Sequence, residues 1–313
     1  MVARLAVVGV GRWGRNHVRV LKELEAEGIA ELVALVDVDE SRCREVASTF
    51  SVDRCLTRVD DLERLGVDGA VVATPISELE PVAMKLLSMG ISVLVEKPVS
   101  TTPRGAEAIR DEARRRGLVA VPGFIMRFNP VVQRLRELVE RNGFVYAIFR
   151  RLSRRPEHAR RFSILLDLTI HDIDLCRYVM GLRRPVVEKA LIARADVDDM
   201  VVAVLREGDA RCLIHTDGVS LAKIREIELI GLRTFVRANT DDMVITVRRP
   251  DRSYIEEKLV GEEPLKAEDR AFIDVLEGKS VEVPTMDDAV AALEIVSAIE
   301  EAGRVDRERR EAL

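Results

Sequence analysis

Two short segments of the chain carry side chains that can take up a proton or stabilise a negative charge. Lys97 stands in the tripeptide Glu96-Lys97-Pro98, directly after an apolar run, and Asp167 precedes His171 by four positions. Residues at this spacing share one face of a helix, where a carboxylate can fix the tautomer of an imidazole and raise its pKa. A general base benefits from both effects. On these residues alone, a solvated lysine and an incidental histidine at a helix end stay open as alternatives.

A glycine-rich turn near the start of the chain predicts a dinucleotide site. The segment GVGRWG at residues 9–14 follows a β-branched run and opens a helical one. In this setting Gly9 permits a tight turn, Gly11 lets the backbone approach a pyrophosphate, and Gly14 lets helix and strand pack closely. The N–H groups of the helix start then face the phosphates. Asp37 would accept hydrogen bonds from the ribose hydroxyls and repel a 2′-phosphate, which favours NAD over NADP. Arg12 weakens that preference by offering a positive charge near the ribose.

These segments belong to a first part of the chain in which strands and helices alternate. The alternation continues to about residue 122 and predicts βαβ units on a doubly wound parallel sheet of the Rossmann type. Lys97 then falls at the carboxyl end of a strand, where open α/β sheets bind ligands. The predicted strands are 4–8, 32–37, 69–74, 92–95 and 119–121, and the predicted helices are 14–27, 41–50, 79–89 and 103–116.

Beyond residue 122 the pattern changes. Short strand-like runs joined by turn signals indicate an antiparallel meander. The predicted elements are helices at 130–141 and 164–180, a strand at 144–151, several strands between 185 and 257, and helices near 264–277 and 287–303. We therefore predict an α/β chain with an NAD-binding Rossmann domain at 1–122. An α+β domain with a mainly antiparallel sheet, for substrate binding and oligomerisation, is predicted at 123–313.

The composition is typical of a folded protein without a general attraction for nucleic acid. Of 313 residues, 47% are hydrophobic and 33% are charged, which is enough apolar side chain for a sizeable core. The net charge of −5 argues against a nucleic-acid binder that depends on a positive field. Arginine outnumbers lysine by 41 to eight, and glutamine occurs once. High charge with few amides is typical of heat-adapted proteins, and a codon bias toward arginine explains the excess equally well.

The first residues and the cysteines predict a cytoplasmic protein. The opening apolar run is cut by Arg12 and lacks a small-residue cleavage pattern, so it reads as a buried strand rather than a signal peptide. No uncharged apolar stretch is long enough for a membrane span. The four cysteines show no C-x-x-C spacing, and no metal site is predicted. A disulfide between Cys43 and Cys55 stays open, because intracellular disulfides occur in hyperthermophiles.

Five segments of the chain, taken together, are typical of one protein family. They are GVGRWG at 9–14, VVATP at 71–75, LVEKP at 94–98, GFIMRFNP at 123–130 and DLTIHDIDLCRY at 167–178. Together they resemble the Gfo/Idh/MocA oxidoreductases over nearly the whole chain. The resemblance implies a nicotinamide-binding Rossmann domain and a second domain on an open-faced antiparallel sheet. One position departs from the family, since Leu79 stands where a histidine often follows the Thr-Pro dipeptide; the usual cofactor contact there is in question.

The resemblance implies catalytic roles for Lys97, Asp167 and His171. In this interpretation His171 takes the proton of a substrate hydroxyl, Lys97 stabilises the developing alkoxide, and Asp167 orients the alcohol or the imidazole. The implied cofactor contacts are Gly9, Gly11, Arg12, Trp13, Gly14, Asp37, Thr74, Pro75, Glu96 and Lys97. The implied substrate contacts are Lys97, Arg127, Asn129, Asp167 and His171. His17, in the first predicted helix, is expected to be structural, either packing near the cofactor or capping the helix.

Within the family, the chain is most similar to UDP-N-acetylglucosamine 3-dehydrogenases and related nucleotide-sugar dehydrogenases. The leading hypothesis is an NAD-dependent oxidoreductase that oxidises C3 of a UDP-activated amino sugar. The alternatives are a dehydrogenase of a free cyclitol or hexose such as inositol, and a non-catalytic nucleotide-binding regulator. Six arginines between residues 150 and 161 suit a diphosphate, and plain surface charge explains them equally well. The expected partners are a sugar or nucleotide sugar and further copies of the chain, in a homodimer or homotetramer formed through the open sheet face.

Overall fold

The computed structural model describes residues 2–194 and 198–311, which form two units. The first unit contains the residues up to Ile125 together with Glu263–Val290. The second unit contains Met126–Glu262 and the residues from Ala291 onward. The predicted boundary at 122–123 lies three residues from the observed one, but the segment 263–290 groups with the first unit rather than with the predicted second domain.

Helices and strands alternate in the first part of the chain, and strands predominate in the second part. The strands are β1 Ala3–Val8, β2 Ala30–Val36, β3 Cys55–Leu56, β4 Gly69–Val72, β5 Ser92–Glu96, β6 Ala120–Gly123, β7 Tyr146–Leu152, β8 Val186–Arg194, β9 Asp198–Glu207, β10 Ala210–Asp217, β11 Ile224–Ile230, β12 Phe235–Asn239, β13 Val244–Arg248 and β14 Tyr254–Lys258. The helices are α1 Arg12–Ala26, α2 Glu40–Phe50, α3 Ile76–Ser88, α4 Pro103–Arg116, α5 Pro130–Asn142, α6 Glu157–Arg160, α7 Ile170–Met180, α8 Pro264–Leu276 and α9 Met286–Glu311. Within the described ranges, no helix combines the length and the apolar composition that a bilayer crossing requires.

The first unit is built on six parallel strands in the order β3-β2-β1-β4-β5-β6. The strands β4 and β5 are buried at every position. Continuous burial is the expected pattern for a parallel sheet that helices cover on both faces. The predicted Rossmann sheet is therefore confirmed.

The helix α8 returns to the first unit late in the chain because its apolar face completes that unit's core. Leu265, Phe272 and Ile273 pack in one cluster with residues of β1 and α1. Gly69, at the start of β4, makes room for this helix: a Cβ atom at that position would lie 2.7 Å from Leu276 Cδ1. The sequence pattern predicted the helix but held no sign of which sheet it covers.

The second unit is built on eight strands in the order β14-β13-β12-β11-β7-β10-β9-β8. All neighbouring pairs are antiparallel except β7 with β10, which confirms a mainly antiparallel sheet. Alternate residues along β10 are buried, so one face of the sheet packs against the unit's interior. The helix α7 packs on β7 and β10. This helix follows Asp167 in the chain and carries His171.

Candidate active site

The glycine turn between β1 and α1 has the geometry that the sequence predicts. Gly9 has a φ of 87°, and a Cβ atom there would lie 2.7 Å from the carbonyl oxygen of Ala73. A Cβ atom at Gly14 would collide with the backbone of Gly9, whereas Gly11 faces open space among the described residues. The first turn of α1 contains no acidic residue and its cap, Gly11, has no side chain. The positive end of the helix is therefore free of side-chain competition for a phosphate group.

Asp37, at the carboxyl end of β2, is buried beside this turn. Its Oδ2 accepts the N–H of Val10 at 2.9 Å and its Oδ1 accepts the N–H of Asp39 at 2.9 Å. A carboxylate has about four acceptor positions, so capacity is left for ribose hydroxyls. Arg42 approaches Asp37 at 3.4 Å, a neighbour that the sequence analysis missed. Arg12, which the sequence suggested instead, is exposed at the start of α1.

Two positions after strand β4 bear on the cofactor site, the polar Thr74 and the apolar Leu79 of α3. The hydroxyl oxygen of Thr74 is buried and has no hydrogen-bond partner among the described residues, as expected for a group that a ligand would satisfy. Leu79 is fully buried in α3, so the position that departs from the family pattern offers no polar contact. Together with the open space at Gly11 and the acceptor capacity of Asp37, these features fit a dinucleotide.

Lys97 begins a tight turn after β5. The peptide bond from Lys97 to Pro98 is cis, and Val99 has a φ of 74°. A β-branched residue at positive φ is a true conformational outlier, and such residues cluster at functional sites. The turn is closed by Glu96, whose backbone oxygen accepts the N–H of Val99 at 3.0 Å and whose Oε2 accepts the N–H of Lys97 at 3.1 Å. The side chain of Lys97 is half-buried.

The other carboxylate oxygen of Glu96 belongs to a buried group that we call the His17 cluster, formed by His17, Glu96, Glu268 and Asp269. His17 Nε2 lies 3.1 Å from Glu96 Oε1, and His17 Nδ1 lies 2.8 Å from Asp269 Oδ1. Burial lowers the pKa of His17, but the charges and hydrogen bonds of Asp269 and Glu96 outweigh it and hold this pKa well above its usual value of 6.5. His17 thus joins α1 to β5 and α8, and its partner Asp269 was missed because it lies 252 positions away in the sequence.

In the second unit, the predicted helix over 164–180 is divided into two kinds of helix. Leu165–Thr169 is π-helical, and α7 follows it. The hydroxyl of Thr169 donates to the carbonyl oxygen of Ile164 at 3.2 Å within this wider turn. Asp167 lies in the π-helical turn and His171 in the first turn of α7, and both are half-buried. Single π-helical turns occur frequently at functional sites. Because the turn is wider than that of an α-helix, the prediction that Asp167 and His171 share one helix face holds only approximately.

Asp167 is held by an arginine that the sequence analysis treated only as part of a charge run. Arg155 Nε donates to Asp167 Oδ2 at 3.1 Å, and Arg155 Nη2 donates to the carbonyl oxygens of Ala159 and Phe162 at 2.5 and 2.8 Å. Arg155 is buried against Gly218, where a Cβ atom would lie 2.7 Å from Arg155 Cδ. The arginine therefore has one position, and it fixes the carboxylate of Asp167.

Two further buried aspartates are paired in the same way. Asp172 accepts both Nε and Nη2 of Arg151 at 2.9–3.1 Å. Asp174 accepts Arg127 Nε at 2.9 Å and Nη2 at 2.5 Å. We call Arg127–Asp174, Arg151–Asp172 and Arg155–Asp167 the arginine–aspartate pairs.

These contacts account for most of the arginine run between residues 150 and 161. Arg150 lies 2.7 Å from Glu228, and Arg160 lies 3.2 Å from Asp199. Four of the six arginines are thus engaged with carboxylates, and only Arg154 and Arg161 are exposed. The run is poorly suited as a whole to bind a diphosphate.

The predicted substrate contact Asn129 is placed as a helix cap. Its Oδ1 accepts the N–H of Val131 at the start of α5, and its Nδ2 donates to the carbonyl oxygen of Thr240 at 3.2 Å. Asparagine is among the preferred residues at this position, because its side chain satisfies a backbone donor of the first turn. The structure thus gives Asn129 a local role that accounts for its burial.

Comparison with known proteins agrees with this geometry. Residues 3–124 match a family model described as an oxidoreductase family with an NAD-binding Rossmann fold. The structure is similar to that of UDP-N-acetylglucosamine 3-dehydrogenase GnnA from Acidithiobacillus ferrooxidans, with a TM-score of 0.86 and 25% identity over 96% of this chain and 99% of that one. Residues 3–124 thus match the Gfo/Idh/MocA oxidoreductase family, and the structural likeness to GnnA extends over nearly the whole chain.

Two curated relatives of the chain carry different names. The chain is 32% identical to UDP-N-acetylglucosamine 3-dehydrogenase of Acidithiobacillus ferrooxidans over 205 residues, which are 64% of this chain and 62% of that protein. It is 30% identical to myo-inositol 2-dehydrogenase of Thermotoga maritima over 187 residues, which are 57% of this chain and 55% of that protein. In these sequence matches the chain spans little more than half the length of its relatives, and their names differ in substrate.

The candidate residues are divided between the two units. Lys97 and the cofactor candidates belong to the first unit, and Arg127, Asn129, Asp167 and His171 belong to the second. Four cysteines are similarly divided. Cys43 and Cys55, in the first unit, are joined in a disulfide, and Cys176 and Cys212, in the second, are buried thiols.

Proposed function

We propose that the chain is an NAD-dependent dehydrogenase that oxidises a secondary hydroxyl of a sugar to a ketone, with C3 of a UDP-activated amino sugar as its preferred target. The likeness to UDP-N-acetylglucosamine 3-dehydrogenase carries this proposal. It extends over 96% of this chain in structure and is accompanied by 25% identity. UDP-N-acetylglucosamine is therefore the first substrate to test.

In the proposed reaction the chain's own residues handle the proton and the charge. Bound NAD supplies the hydride acceptor. His171 accepts the hydroxyl proton as general base, and the half-buried ammonium of Lys97 stabilises negative charge on the substrate oxygen. Asp167, which Arg155 holds at 3.1 Å, keeps the alcohol or the imidazole in the orientation that proton transfer needs.

A second candidate is the oxidation of a free cyclitol such as inositol. The match to myo-inositol 2-dehydrogenase of Thermotoga maritima favours it. So does the engagement of four arginines of the run 150–161 with carboxylates, because these side chains would otherwise be the first candidates to bind a diphosphate. A nucleotide sugar would then have to find its phosphate ligands elsewhere on the chain.

Substrate comparison separates the two candidates. The purified protein is incubated with NAD and UDP-N-acetylglucosamine, free N-acetylglucosamine or myo-inositol, and the formation of NADH is followed. We expect kcat/KM for the UDP sugar to exceed that for the free sugar by about a hundredfold, since lost polar contacts leave buried groups unpaired. Faster turnover of myo-inositol would reject the UDP-sugar assignment. Absence of turnover on a broad sugar panel would support a non-catalytic regulator instead.

Replacement of His171 tests the proposed base. His171→Ala is expected to lower kcat by about a hundredfold or more and to remove the rise of activity with pH that a titrating base produces. His215→Ala, on strand β10, is the matched control and should leave kcat unchanged. Undiminished kcat across the pH range in His171→Ala would contradict the assignment. Lys97→Arg keeps the charge but changes its geometry, and it should lower kcat as well.

The preference for NAD is proposed from Asp37. Its carboxylate faces the turn that would hold the pyrophosphate, and it would repel a 2′-phosphate. The adjacent Arg42 acts in the opposite direction. We expect Asp37→Ser to shift the ratio of the NADP and NAD dissociation constants toward NADP by about tenfold, measured by titration calorimetry. An unchanged ratio would place the discrimination on other residues.

We also propose that the protein is cytoplasmic, where NAD is available, and that it forms a homodimer or homotetramer. Tyr146, on the inner strand β7, and Val186, on the edge strand β8, are each about half exposed. They leave apolar surface on the eight-stranded sheet for a second copy. Light scattering behind size-exclusion chromatography measures the mass of the assembly directly. A monomer at micromolar concentration would contradict this proposal.

A further inference from the structure

The His17 cluster has no part in the proposed chemistry, yet it occupies the interior of the first unit next to Lys97. Its members come from three elements, α1, β5 and α8. His17 and Asp269 are fully buried, and Glu268 and Glu96 are 1% and 7% exposed. Three carboxyl groups and one imidazole therefore share a space that water does not reach. Buried charge of one sign is costly, so the cluster needs a source of positive charge.

The two hydrogen bonds of His17 identify that source as protons. A neutral imidazole carries one N–H and can donate one hydrogen bond, but His17 has a carboxylate oxygen within hydrogen-bond distance of each ring nitrogen. Both bonds exist only when one more proton is present, on the ring or on a carboxyl. The ring lies between two carboxylate oxygens, at 2.8 Å and 3.1 Å from its nitrogens, and this geometry favours the extra proton on the ring. The charges of Asp269 and Glu96 raise the pKa of His17 in the same sense, against the effect of burial.

Glu268 carries a second proton. Neither of its carboxylate oxygens has a hydrogen-bond partner among the described residues, so nothing in that part of the chain stabilises its ionised form. Burial raises the pKa of Glu268 well above 4.5, and the nearby carboxylates Glu96 and Asp269 add to this while the charge of His17 opposes it. Glu263, at the start of α8, faces Asp269 as a further carboxylate. Glu268 is thus a neutral acid packed against the imidazolium and its two anions.

Glu96 connects this cluster to the turn that carries Lys97. One of its carboxylate oxygens faces His17, the other accepts the N–H of Lys97, and its backbone oxygen accepts the N–H of Val99. The neighbouring strand β6 packs closely against Glu96 at Gly123. A Cβ atom at that position would lie only 3.1 Å from Glu96 Cα. The conformation of Glu96 is therefore set by His17 on one side and transmitted to the turn on the other.

We propose that His17 is a positioning residue: as an imidazolium bridging Asp269 and Glu96, it fixes Glu96 and thereby the turn from which Lys97 reaches the substrate. The catalytic consequence rests on the proposed function, whereas the structural one does not. Without the bridge, the buried carboxylate of Glu96 loses its partner and the turn loses one of its two anchors. The ammonium of Lys97 then samples several positions, and only some of them serve the substrate oxygen.

The protonation state can be measured on the unaltered protein. With ¹⁵N-labelled histidine, the ring nitrogens of His17 are observed by NMR at about pH 8, where an ordinary histidine is neutral. The variant His17→Gln identifies the signals. Two protonated ring nitrogens support the proposal, and a single protonated nitrogen overturns it. Stoichiometric zinc or manganese in the purified protein, measured by plasma mass spectrometry, would also overturn it, because a divalent ion would then replace the protons as the source of charge.

The positioning role is tested on Lys97 itself. The lysines are ¹³C-dimethylated, and the Lys97 signal is assigned with Lys97→Arg. In His17→Gln the Lys97 signal should shift and titrate at a different pH, while the signals of the other lysines stay in place. His215→Gln is the matched histidine control. Asp269→Asn, which removes the anion behind His17, is the second variant if His17→Gln does not fold. A Lys97 signal that coincides with that of the unaltered protein in the folded variant overturns the proposal.

A kinetic measurement separates this inference from the proposed function. His17→Gln should lower kcat about tenfold to a hundredfold, as displaced catalytic groups do, while the dissociation constant of NAD changes less than about twofold. An equal loss in both quantities, or an unchanged kcat, overturns the positioning role. If the unaltered protein oxidises no sugar, the proposed function fails, but the two NMR experiments still decide the role of His17.

Discussion

The two units bury charge in opposite ways. In the second unit each arginine–aspartate pair matches one guanidinium with one carboxylate, through two or three hydrogen bonds in the case of Arg127 and Arg151. In the first unit the His17 cluster holds three carboxyl groups against one imidazole. Guanidinium stays charged at every pH that a protein survives, whereas the charge of the His17 cluster depends on bound protons. The cationic side of each arginine–aspartate pair is thus insensitive to pH, whereas the charge of the His17 cluster changes as its protons are lost.

The largest effect is expected from removal of one guanidinium. Arg151→Met leaves the carboxylate of Asp172 buried without its partner, and such changes cost about 3–5 kcal/mol of the free energy of unfolding. Urea denaturation of the variant measures the loss. The double variant Arg151→Met, Asp172→Leu should recover most of it, because two apolar side chains replace the pair without leaving a charge.

An exposed pair is the control for this effect. Arg44 and Glu40 form an ion pair on α2 with side chains that are 72% and 58% exposed. Arg44→Ala should change the free energy of unfolding by no more than about 0.5 kcal/mol. If Arg151→Met is as mild as Arg44→Ala, the arginine–aspartate pairs do not stabilise the second unit and the contrast between the units is wrong.

Local sequence patterns predicted what depends on neighbouring residues and failed where distant segments meet. The glycine turn and the strand ends at Asp37 and Lys97 follow from short-range rules, and the parallel and antiparallel sheets follow from the spacing of apolar runs. The return of α8 to the first unit did not follow, because its apolar face would suit either sheet. For the same reason Asp269 was missed as a partner of His17, and Glu268 as a member of the same cluster.

Charge runs were the least informative feature of the sequence. The arginines between residues 150 and 161 suggested a phosphate site, but their partners lie on other strands and helices, and a count of charges cannot locate them. The bidentate contact of Arg127 with Asp174 joins residues 47 positions apart, which no local pattern reveals. The contact of Arg155 with Asp167 depends on the π-helical turn that carries Asp167 and on the space that Gly218 leaves for Arg155. These features lie on separate segments of the chain, so no local pattern predicts the contact.

The cysteines provide a second way to sharpen the comparison of the units. The disulfide between Cys43 and Cys55 closes a loop of 12 positions in the first unit, and a loop of this size contributes about 2–3 kcal/mol. Cys43→Ser with Cys55→Ser should therefore lower the thermal midpoint of unfolding under non-reducing conditions. Dithiothreitol should lower the midpoint of the unaltered protein and leave that of the double variant unchanged. An equal response of both proteins to reductant would contradict a stabilising disulfide.

The pH dependence of stability tests the proton-bound character of the first unit. The pKa of Glu268 is raised in the folded state, so the folded protein keeps this proton after the unfolded chain has lost it. Its contribution is fully present below pH 4.5 and is lost as pH rises toward the folded value. Glu268→Gln resembles the neutral acid and cannot ionise. Relative to the unaltered protein it should become more stable as pH rises above 4.5, by up to about 1.4 kcal/mol per pH unit for as long as the folded unaltered protein keeps the proton.

His17 makes a second contribution to the pH dependence of stability, at higher pH than the unfolded-state pKa of Glu268. Its folded pKa lies well above 6.5, so the stability that it contributes is complete below pH 6.5 and is lost as pH rises through the folded value. In His17→Gln the slope above pH 6.5 should flatten, whereas Arg44→Ala, which changes only an exposed pair, should leave the shape of the curve unchanged. Parallel curves for His17→Gln and the unaltered protein would show that the first unit does not depend on protons in this way.

The smallest expected effect concerns the geometry of a single pair. Arg155→Lys retains a positive charge near Asp167 but replaces a planar fork, which also binds two carbonyl oxygens, with a compact ammonium on a flexible stem. Because the variant keeps the charge balance, its unfolding curve should stay close to that of the unaltered protein. Asp167 would no longer be held in one orientation, and kcat for the sugar substrate should fall about tenfold, equivalent to about 1.4 kcal/mol. An unchanged kcat with a lower stability would mean that Arg155 supports the fold alone, and that the arginine–aspartate pairs balance charge without preparing Asp167 for its role.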